Sequence, residues 1–302
     1  MKRLVAASSV IAFLLLSNAN FVRSQNGASA NRALSVNPPT LTLPNKADSV
    51  LFAVIGDTGT GSAQQRELAE VMRQYHSIFK FESVLMMGDN IYGGEDPKDY
   101  EAKFAEPYKD LLSAGVKFYA SLGNHDNTNQ RSYKNFNMDG KEYYTFKKGP
   151  VRFFALNSNY MDQRQTKWLE EELKSSGSDW KICFFHHPPY SSGAMHGPSI
   201  ELRKILEPLF IKYGVDVAFT GHEHIYERIK PQHGVYYFIS GGGGKLRLDG
   251  VKQTEQTAKS FDKEQHFMLI EIAGNQMHFQ VISRTGKTID SGALPRLEKD
   301  RG

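Results

Sequence analysis

The sequence contains one cysteine, Cys183, among its 302 residues. A disulfide within the chain is therefore excluded, because it requires two cysteines. Cys183 lies in the apolar run 182–185, which predicts a buried strand residue. A catalytic thiol is not expected at such a position, since reactive cysteines lie in electropositive and partly exposed surroundings.

A large excess of charge of one sign is also missing. The formal net charge is +4 at pH 7, and it falls to +2 without Lys2 and Arg3 near the N-terminus. The basic residues are scattered along the chain rather than clustered. This distribution argues against a nucleic-acid partner, which needs a concentrated basic surface. A small anionic substrate, bound locally, is the expected partner.

Long apolar runs are absent after the first 16 residues. Residues 4–16 are largely apolar, follow Lys2 and Arg3, and precede the small residues Ser17 and Ala19, as in a secretory signal peptide. A membrane span needs about 20 apolar residues, so a stable membrane anchor is not expected, and a retained anchor is the alternative. We predict a cleaved signal peptide over residues 1–19 and a secreted or periplasmic protein.

The rest of the chain divides into a linker, one domain and a short tail. Residues 20–48 are rich in Asn, Ser, Ala and Pro and have no periodicity, which predicts a mobile linker. The predicted domain covers residues 49–292, and the tail covers residues 293–302. Alternating strand and helix patterns over residues 49–121 predict a largely parallel sheet. The strand patterns of the final third predict a second sheet, mixed or antiparallel, and the expected fold class is α/β.

Two helices are predicted within the first of these sheets. Ser62 can cap a helix over residues 63–79, because its hydroxyl can accept from a free backbone N–H of the first turn. Pro97 suits a helix N-terminus and introduces a second helix that runs to about Ser113.

Five apolar runs are each followed directly by a polar cluster. The clusters are Gly56-Asp57-Thr58, Gly88-Asp89-Asn90, Gly123-Asn124-His125, His186-His187 and Gly221-His222-Glu223-His224. Sites in α/β sheets form at the carboxyl ends of strands, so these side chains can converge. A carboxylate can bridge two cations through its two oxygens, an asparagine adds a neutral oxygen, and imidazoles complete the ligand shells. The pattern therefore predicts a site for two metal ions.

Taken in order, these segments resemble the motifs of the metallophosphoesterases, and their details resemble the purple acid phosphatases. Tyr92, three residues after Asp89, is similar to the iron-binding tyrosine position of that subfamily. His186-His187-Pro188 and His196-Gly197-Pro198 resemble the small tartrate-resistant acid phosphatases. The resemblance covers residues 49–282. It implies a four-layer αββα sandwich with two mixed β-sheets.

The resemblance also implies a role for each motif residue. It implies a ferric ion held by Asp57, Tyr92 and His224, with Asp89 as the bridge to a second ion. It implies that the second ion, Fe(II), Zn(II) or Mn(II), is held by Asn124, His186 and His222. His125 would contact the phosphate and stabilise its developing charge. His196 would protonate the leaving oxygen.

Some of these residues have a plainer interpretation. Tyr92 can be a packing residue, and His196 can be a mobile surface residue in a Gly- and Ser-rich loop. His187 is expected to have a supporting or structural role. Residues 241–244, four glycines, can cradle phosphate through backbone N–H groups, although a plain flexible loop is favoured. Arg228 can serve the site or form a salt bridge.

The implied activity is that of an exported binuclear-metal acid phosphatase that hydrolyses phosphate monoesters. A metal-dependent phosphodiesterase, acting on cyclic nucleotides or phospholipid head groups, is the alternative enzyme, because both reactions use the same ligands. A secreted phosphate- or iron-binding protein without activity is the alternative from another class. The sequence leaves open the natural substrate, the second metal and the oligomeric state.

Overall fold

The computed structural model describes residues 38–297. Within them, thirteen β-strands and five α-helices are found. The strands are β1 (Val50–Ile55), β2 (Ser83–Met86), β3 (Lys117–Ala120), β4 (Tyr144–Lys148), β5 (Val151–Ala155), β6 (Trp180–Phe184), β7 (Val217–Thr220), β8 (Tyr226–Gln232), β9 (Val235–Ser240), β10 (Thr257–Phe261), β11 (His266–Ala273), β12 (Gln276–Ser283) and β13 (Thr288–Pro295). The helices are α1 (Ala63–Ile78), α2 (Pro97–Tyr100), α3 (Lys109–Ser113), α4 (Gln163–Ser175) and α5 (Ile200–Tyr213).

The strands form two mixed sheets, as predicted. Sheet 1 has the order β13-β12-β11-β1-β2-β3, and sheet 2 has the order β10-β8-β9-β7-β6-β5-β4. β1, β2 and β3 are parallel, and so are β5, β6, β7 and β9. The strands of the final third do not make a sheet of their own, contrary to expectation. β11 to β13 extend sheet 1, because β11 pairs with β1 although the two strands are far apart in the sequence. β8 to β10 extend sheet 2.

The sheets stack face to face and carry helices on their outer faces. Tyr75 of α1 packs on a phenylalanine of β11 in sheet 1. Phe52 of β1 meets Phe153 of β5 edge-on at 5.2 Å, so the apolar core between the sheets joins them. Phe210 of α5 packs against Phe185, which directly follows β6 of sheet 2. The layers are therefore helix, sheet, sheet and helix, and the predicted αββα sandwich is confirmed.

The predicted helix after Pro97 is broken into pieces. α2 ends at Tyr100, one π-helical turn follows over Glu101–Ala105, and α3 begins only at Lys109. Pro107 lies in the gap, where it lacks the N–H of a helical residue and its ring clashes with the preceding turn. The predicted first helix agrees with α1, whose N-cap Ser62 accepts from the backbone N–H of Gln65 at 3.3 Å.

The segment that precedes β1 lies against the domain. Leu43 is buried in the core between the layers. Backbone N–H groups of Asn45 and Lys46 donate to the Glu271 carboxylate at 2.7 and 2.8 Å. Residues 38–48 of the predicted linker thus pack on sheet 1. The predicted signal peptide, residues 1–19, lies outside the described residues, as do residues 20–37.

Two further observations concern the ends of the described region. β13 continues to Pro295, so part of the predicted tail belongs to sheet 1. Among residues 38–297, no helix combines the length and the apolar character that a membrane crossing requires.

His266, at the start of β11, is buried without a well-formed hydrogen bond from either ring nitrogen to the described residues. Burial lowers its pKa from 6.5 to about 4. Between pH 6.5 and 4, the histidine therefore binds a proton in the unfolded chain but not in the folded chain. The free energy of unfolding consequently falls as the pH falls through this window. The full window corresponds to about 3 kcal/mol.

We expect the variant His266→Phe to lose less stability than the wild type on acidification. Urea unfolding at pH 7 and pH 4.5 measures it, and the wild type should lose about 2–3 kcal/mol more than the variant. The readout is the change with pH rather than the absolute stability, since phenylalanine is larger than histidine. Equal pH dependence of the two proteins would contradict the assignment.

Candidate metal centre

The five polar clusters lie at one edge of the sandwich, where carboxyl ends of parallel strands from both sheets meet. The backbone N–H of His222, after β7, donates to Asp57 Oδ2, after β1, at 2.9 Å. Nδ1 of His186, after β6, lies 2.8 Å from the carbonyl oxygen of Met87, after β2. Each contact joins sheet 1 to sheet 2. Side chains that are far apart in sequence therefore come together here.

Three of the predicted ligands form one group. The Tyr92 hydroxyl donates to Asp57 Oδ1 at 3.1 Å and lies 3.3 Å from Nε2 of His224. The same nitrogen of His224 lies 3.4 Å from Asp57 Oδ1. Tyr92 is therefore aimed into the cluster through its hydroxyl, which a residue that only packs would not require.

A second group surrounds His186. Its Nε2 lies 3.0 Å from Asn124 Oδ1, 3.1 Å from Nδ1 of His222 and 3.5 Å from Asp89 Oδ1. A carbonyl oxygen can only accept, so Nδ1 of His186 carries the proton that faces Met87. Nε2 consequently presents its lone pair to the other three side chains.

The two groups are close enough to share ligands. Asp57, Asp89 and His186 each offer a ligand atom, and these atoms lie within 4.8 Å of one another. The same limit holds for His186, His187 and His222. Asp89 therefore lies next to both groups, as a bridging carboxylate must. Nδ1 of His187 lies 2.9 Å from the Ser158 hydroxyl, which is consistent with a supporting role.

The charge state of these side chains suits a cation. Burial raises the pKa of Asp57 to about 7. Burial and the neighbouring His186 lower the pKa of His222 to about 2, and burial also lowers the pKa of His186 well below its usual value. Among residues 38–297, neither Asp57 nor Asp89 forms an ion pair with a lysine or arginine. Buried carboxylates and neutral imidazoles without a compensating cation fit a metal centre.

The backbone is strained at three of the predicted ligands. φ is +57° at Asp57, +51° at Asp89 and +69° at His222. Residues other than glycine rarely adopt this left-handed conformation, and its cost is about 1–3 kcal/mol at each position. Such strain concentrates at functional sites, where the surrounding contacts enforce it. At Gly221 an added Cβ would lie 2.5 Å from Asp57 Oδ2, so a side chain there would displace that carboxylate.

The sequence profile of calcineurin-like phosphoesterases matches residues 50–226, which is more than half of the chain. The chain belongs to the calcineurin-like phosphoesterase family. The family predicted from the five motifs is thus confirmed. The matched residues include all seven side chains of the two groups described above.

Curated relatives of this phosphoesterase are acid phosphatases. Tartrate-resistant acid phosphatase type 5 of Homo sapiens is 26% identical, over 85% of this chain and 95% of its own length. Purple acid phosphatase 17 of Arabidopsis thaliana is 27% identical, over 82% of each chain.

Solved structures of the same fold include a purple acid phosphatase from seeds of yellow lupin (Lupinus luteus). Its TM-score is 0.68 at 19% identity, and the match covers 86% of this chain and 55% of the lupin chain. GAP50 of Plasmodium, described as the anchor in the inner membrane complex, has a TM-score of 0.71 at 19% identity, over 84% of this chain and 90% of its own. At these identities the likeness establishes the shared fold alone.

Two further predicted residues lie at the mouth of the phosphoesterase site. His125 is exposed, and its ring centroid is 5.1 Å from that of Tyr92. Its backbone N–H donates to Asp89 Oδ1 at 3.0 Å. His196 is also exposed, and its ring centroid is 4.2 Å from that of His222. Both imidazoles can therefore reach a ligand that arrives from solvent.

Glu223 holds the loop that carries His196, and the sequence-based reasoning gave it no role. The Glu223 side chain is buried, and its Oε1 accepts from the backbone N–H groups of His196 and Gly197 at 2.7 and 2.6 Å. An added Cβ at Gly193 would lie 2.1 Å from Glu223 Cδ, so the loop packs directly on the carboxylate. The sequence did offer one signal for Glu223. In an extended segment successive side chains point to opposite sides, so a residue between two histidines that face the site points away from it.

Glu227, four residues further on, holds the other end of the same loop. Its carboxylate accepts from the backbone N–H of Ser192 at 2.9 Å and from the Thr257 hydroxyl at 2.9 Å. The Ser192 hydroxyl donates to it as well. The segment that carries His222 and His224 therefore also fixes the backbone around His196 through two buried carboxylates.

We expect Glu223→Ala to lower kcat about 10- to 100-fold. The reason is that His196, the predicted general acid, would lose the contact that fixes its backbone, and a well-placed general acid contributes about 10²- to 10⁴-fold. Glu223→Gln keeps an oxygen that can accept both N–H groups, so a smaller loss is expected. Steady-state kinetics across pH, with Tm as the folding control and the exposed Glu201→Ala as matched control, measures this. Unchanged kcat in a folded Glu223→Ala protein would show that His196 does not depend on Glu223.

Asp126 is another residue whose role the sequence did not reveal. Its carboxylate accepts from the backbone N–H groups of Asn90, Ile91 and Gly123 at 2.8, 3.2 and 2.8 Å. One side chain thereby fixes the loop that follows Asp89 to the loop that precedes Asn124.

The four glycines after β9 are buried, and three of them use their N–H groups within the protein. The N–H groups of Gly241, Gly243 and Gly244 donate to backbone carbonyl oxygens at 3.1, 3.0 and 3.0 Å, and all three residues are buried. These donors are consequently unavailable to a phosphate. Arg228 follows the salt-bridge alternative, since its Nε donates to Asp290 Oδ2 at 2.8 Å.

Proposed function

We propose that this protein is an exported binuclear-metal acid phosphatase that hydrolyses phosphate monoesters. The observation that carries the proposal is the meeting of seven predicted ligands at one sheet edge, with the Tyr92 hydroxyl on Asp57. The acid phosphatase relatives, similar over most of the chain, support the reaction. Export rests on the signal-like residues 1–19.

The donor set agrees with two different cations. Asp57, Tyr92 and His224 would hold one ion, and their two oxygens suit Fe(III). A second set would hold Fe(II), Zn(II) or Mn(II), with the bridging carboxylate between them, and it comprises Asn124, His186, His222 and Asp89. When bound, such a pair of ions neutralises phosphate charge and lowers the pKa of water.

The protein's own residues would orient the substrate and move one proton. His125, at the mouth beside Tyr92, would donate a hydrogen bond to a phosphate oxygen and stabilise its developing charge. His196, beside His222, would give a proton to the leaving oxygen of the ester. Glu223 would keep His196 in reach of that oxygen through the backbone.

Colour and turnover together test this proposal. Protein purified in air should show a visible tyrosine-to-Fe(III) band and hydrolyse an aryl phosphate faster than the bis-aryl diester. Tyr92→Phe should lose the band, whereas the exposed Tyr160→Phe should keep it. Metal-loaded wild type that is colourless and inactive would contradict the proposal, and faster diester turnover would favour the phosphodiesterase alternative.

A further inference from the structure

We propose that Lys245 and Arg247 form a cationic lip that binds a second anionic group of the substrate, beside the phosphate that reacts. The inference rests on the proposed phosphatase function and adds a substrate class to it. The preferred substrates are phosphate monoesters that carry another phosphate or a carboxylate close to the reacting group.

The backbone of the lip is fixed to the metal centre. The Lys245 N–H donates to the carbonyl oxygen of Asp57 at 3.0 Å, and the Arg247 N–H donates to the carbonyl oxygen of His224 at 3.0 Å. Asp57 and His224 belong to the same predicted ligand group. The backbone of both basic residues is therefore held next to the site by hydrogen bonds.

The glycines before the lip explain how the chain brings it there. A Cβ added at Gly241 would lie 2.2 Å from the carbonyl oxygen of Glu223, and a Cβ added at Gly244 would lie 2.1 Å from the carbonyl oxygen of Thr58. Backbone atoms would have to move to admit any side chain at these positions. The segment thus passes directly against the site loops, and Lys245 is the first residue whose side chain reaches solvent.

The positive charges of the lip are not neutralised. Among residues 38–297, neither Lys245 nor Arg247 has a carboxylate at ion-pair distance. The nearby Lys103 is different, because its Nζ contacts the Tyr92 carbonyl oxygen at 2.6 Å and pairs with Asp99 at 2.7 Å. Nζ of Lys245 instead lies 4.7 Å from the centroid of the Tyr92 ring, where a cation–π attraction holds it at the mouth.

The chemistry of these two side chains points to an oxyanion. An ammonium and a guanidinium on residues two positions apart in the chain can both attract phosphate or carboxylate, and the guanidinium can donate two parallel hydrogen bonds to either. The reacting phosphate would already meet the metal ligand cluster and His125. The lip lies outside that cluster, so it meets the next anionic group of the ligand.

Binding of two non-hydrolysable probes tests the lip without turnover. Methylphosphonate has one phosphonate and methylenediphosphonate has two, and calorimetry on the metal-loaded protein gives the affinity of each. We expect the wild type to prefer the diphosphonate, and Lys245→Gln/Arg247→Gln to reduce the ratio of the two affinities by about tenfold. Metal content measured after titration guards against extraction of the ions by the probe.

A matched control removes the same amount of positive charge from the opposite end of the sheet 1 strands. Lys80 and Lys117 are exposed near the amino ends of β2 and β3, and Lys80→Gln/Lys117→Gln should leave the ratio unchanged. In turnover, the ratio of kcat/KM for 3-phosphoglycerate, a monoester that carries a carboxylate, to that for glycerol 3-phosphate should fall about tenfold in the lip variant alone.

The outcomes separate the lip from the phosphatase proposal. Equal ratios in wild type and lip variant, or equal loss with both probes, would overturn the lip. Absence of phosphatase activity in the metal-loaded wild type would instead overturn the proposed function.

Discussion

Asp89→Ala is expected to lower kcat at least about a thousandfold, equivalent to about 4 kcal/mol of transition-state stabilisation. Asp89 is a carboxylate adjacent to both ligand groups: its Oδ1 lies 3.5 Å from Nε2 of His186, and it shares a 4.8 Å cluster with Asp57. Without it, neither ion would keep a complete set of oxygen ligands. The substitution should therefore remove metal as well as activity.

Kinetics and elemental analysis of the same preparation check this expectation. The exposed Asp110→Ala, on α3, is the matched control and should keep both metal and kcat. An Asp89→Ala protein that retained the wild-type metal content and turnover would exclude Asp89 as the bridge.

Gly123→Ala is expected to reduce kcat by about a hundredfold or more, although it adds a single methyl group. The new Cβ would lie 2.2 Å from Asp89 Oδ1 and 2.4 Å from the Asp89 backbone nitrogen. Either Asp89 or the loop with Asn124 must then shift. A displacement of about 1 Å at a catalytic constellation costs about 10²-fold.

Gly274→Ala separates this steric effect from backbone strain. Gly274 has φ +59°, where alanine is strained, but an added Cβ would meet nothing within 4 Å. Its alanine variant should lose about 1 kcal/mol of stability and keep full activity. If Gly123→Ala also kept full activity, the tight approach of the two loops would not matter to the site.

The convergence of the predicted ligand side chains was predictable because its signal is local. Asp57, Asp89 and His222 each follow an apolar strand pattern within a few residues, and parallel strands bring such ends to one edge. The place of the Tyr92 hydroxyl in this cluster was predictable only through the resemblance, because an isolated tyrosine has no spacing that distinguishes a candidate ligand from a packing residue.

The supporting residues were not predictable, because their partners are distant in sequence. Glu223 contacts residues 26 and 27 positions away, and Asp126 contacts Asn90 over 36 positions. The strand order of sheet 1 was not predictable for the same reason, since β11 pairs with β1, which is distant in sequence. The break at Pro107 is a different case: the proline was visible, but the helical pattern on both sides concealed it.

The most direct measurement is the number of metal ions bound per chain, taken by elemental analysis of purified wild-type protein. We expect two ions for each chain, at least one of them iron. A single ion for each chain, or none after exposure to iron, zinc and manganese, would contradict this expectation.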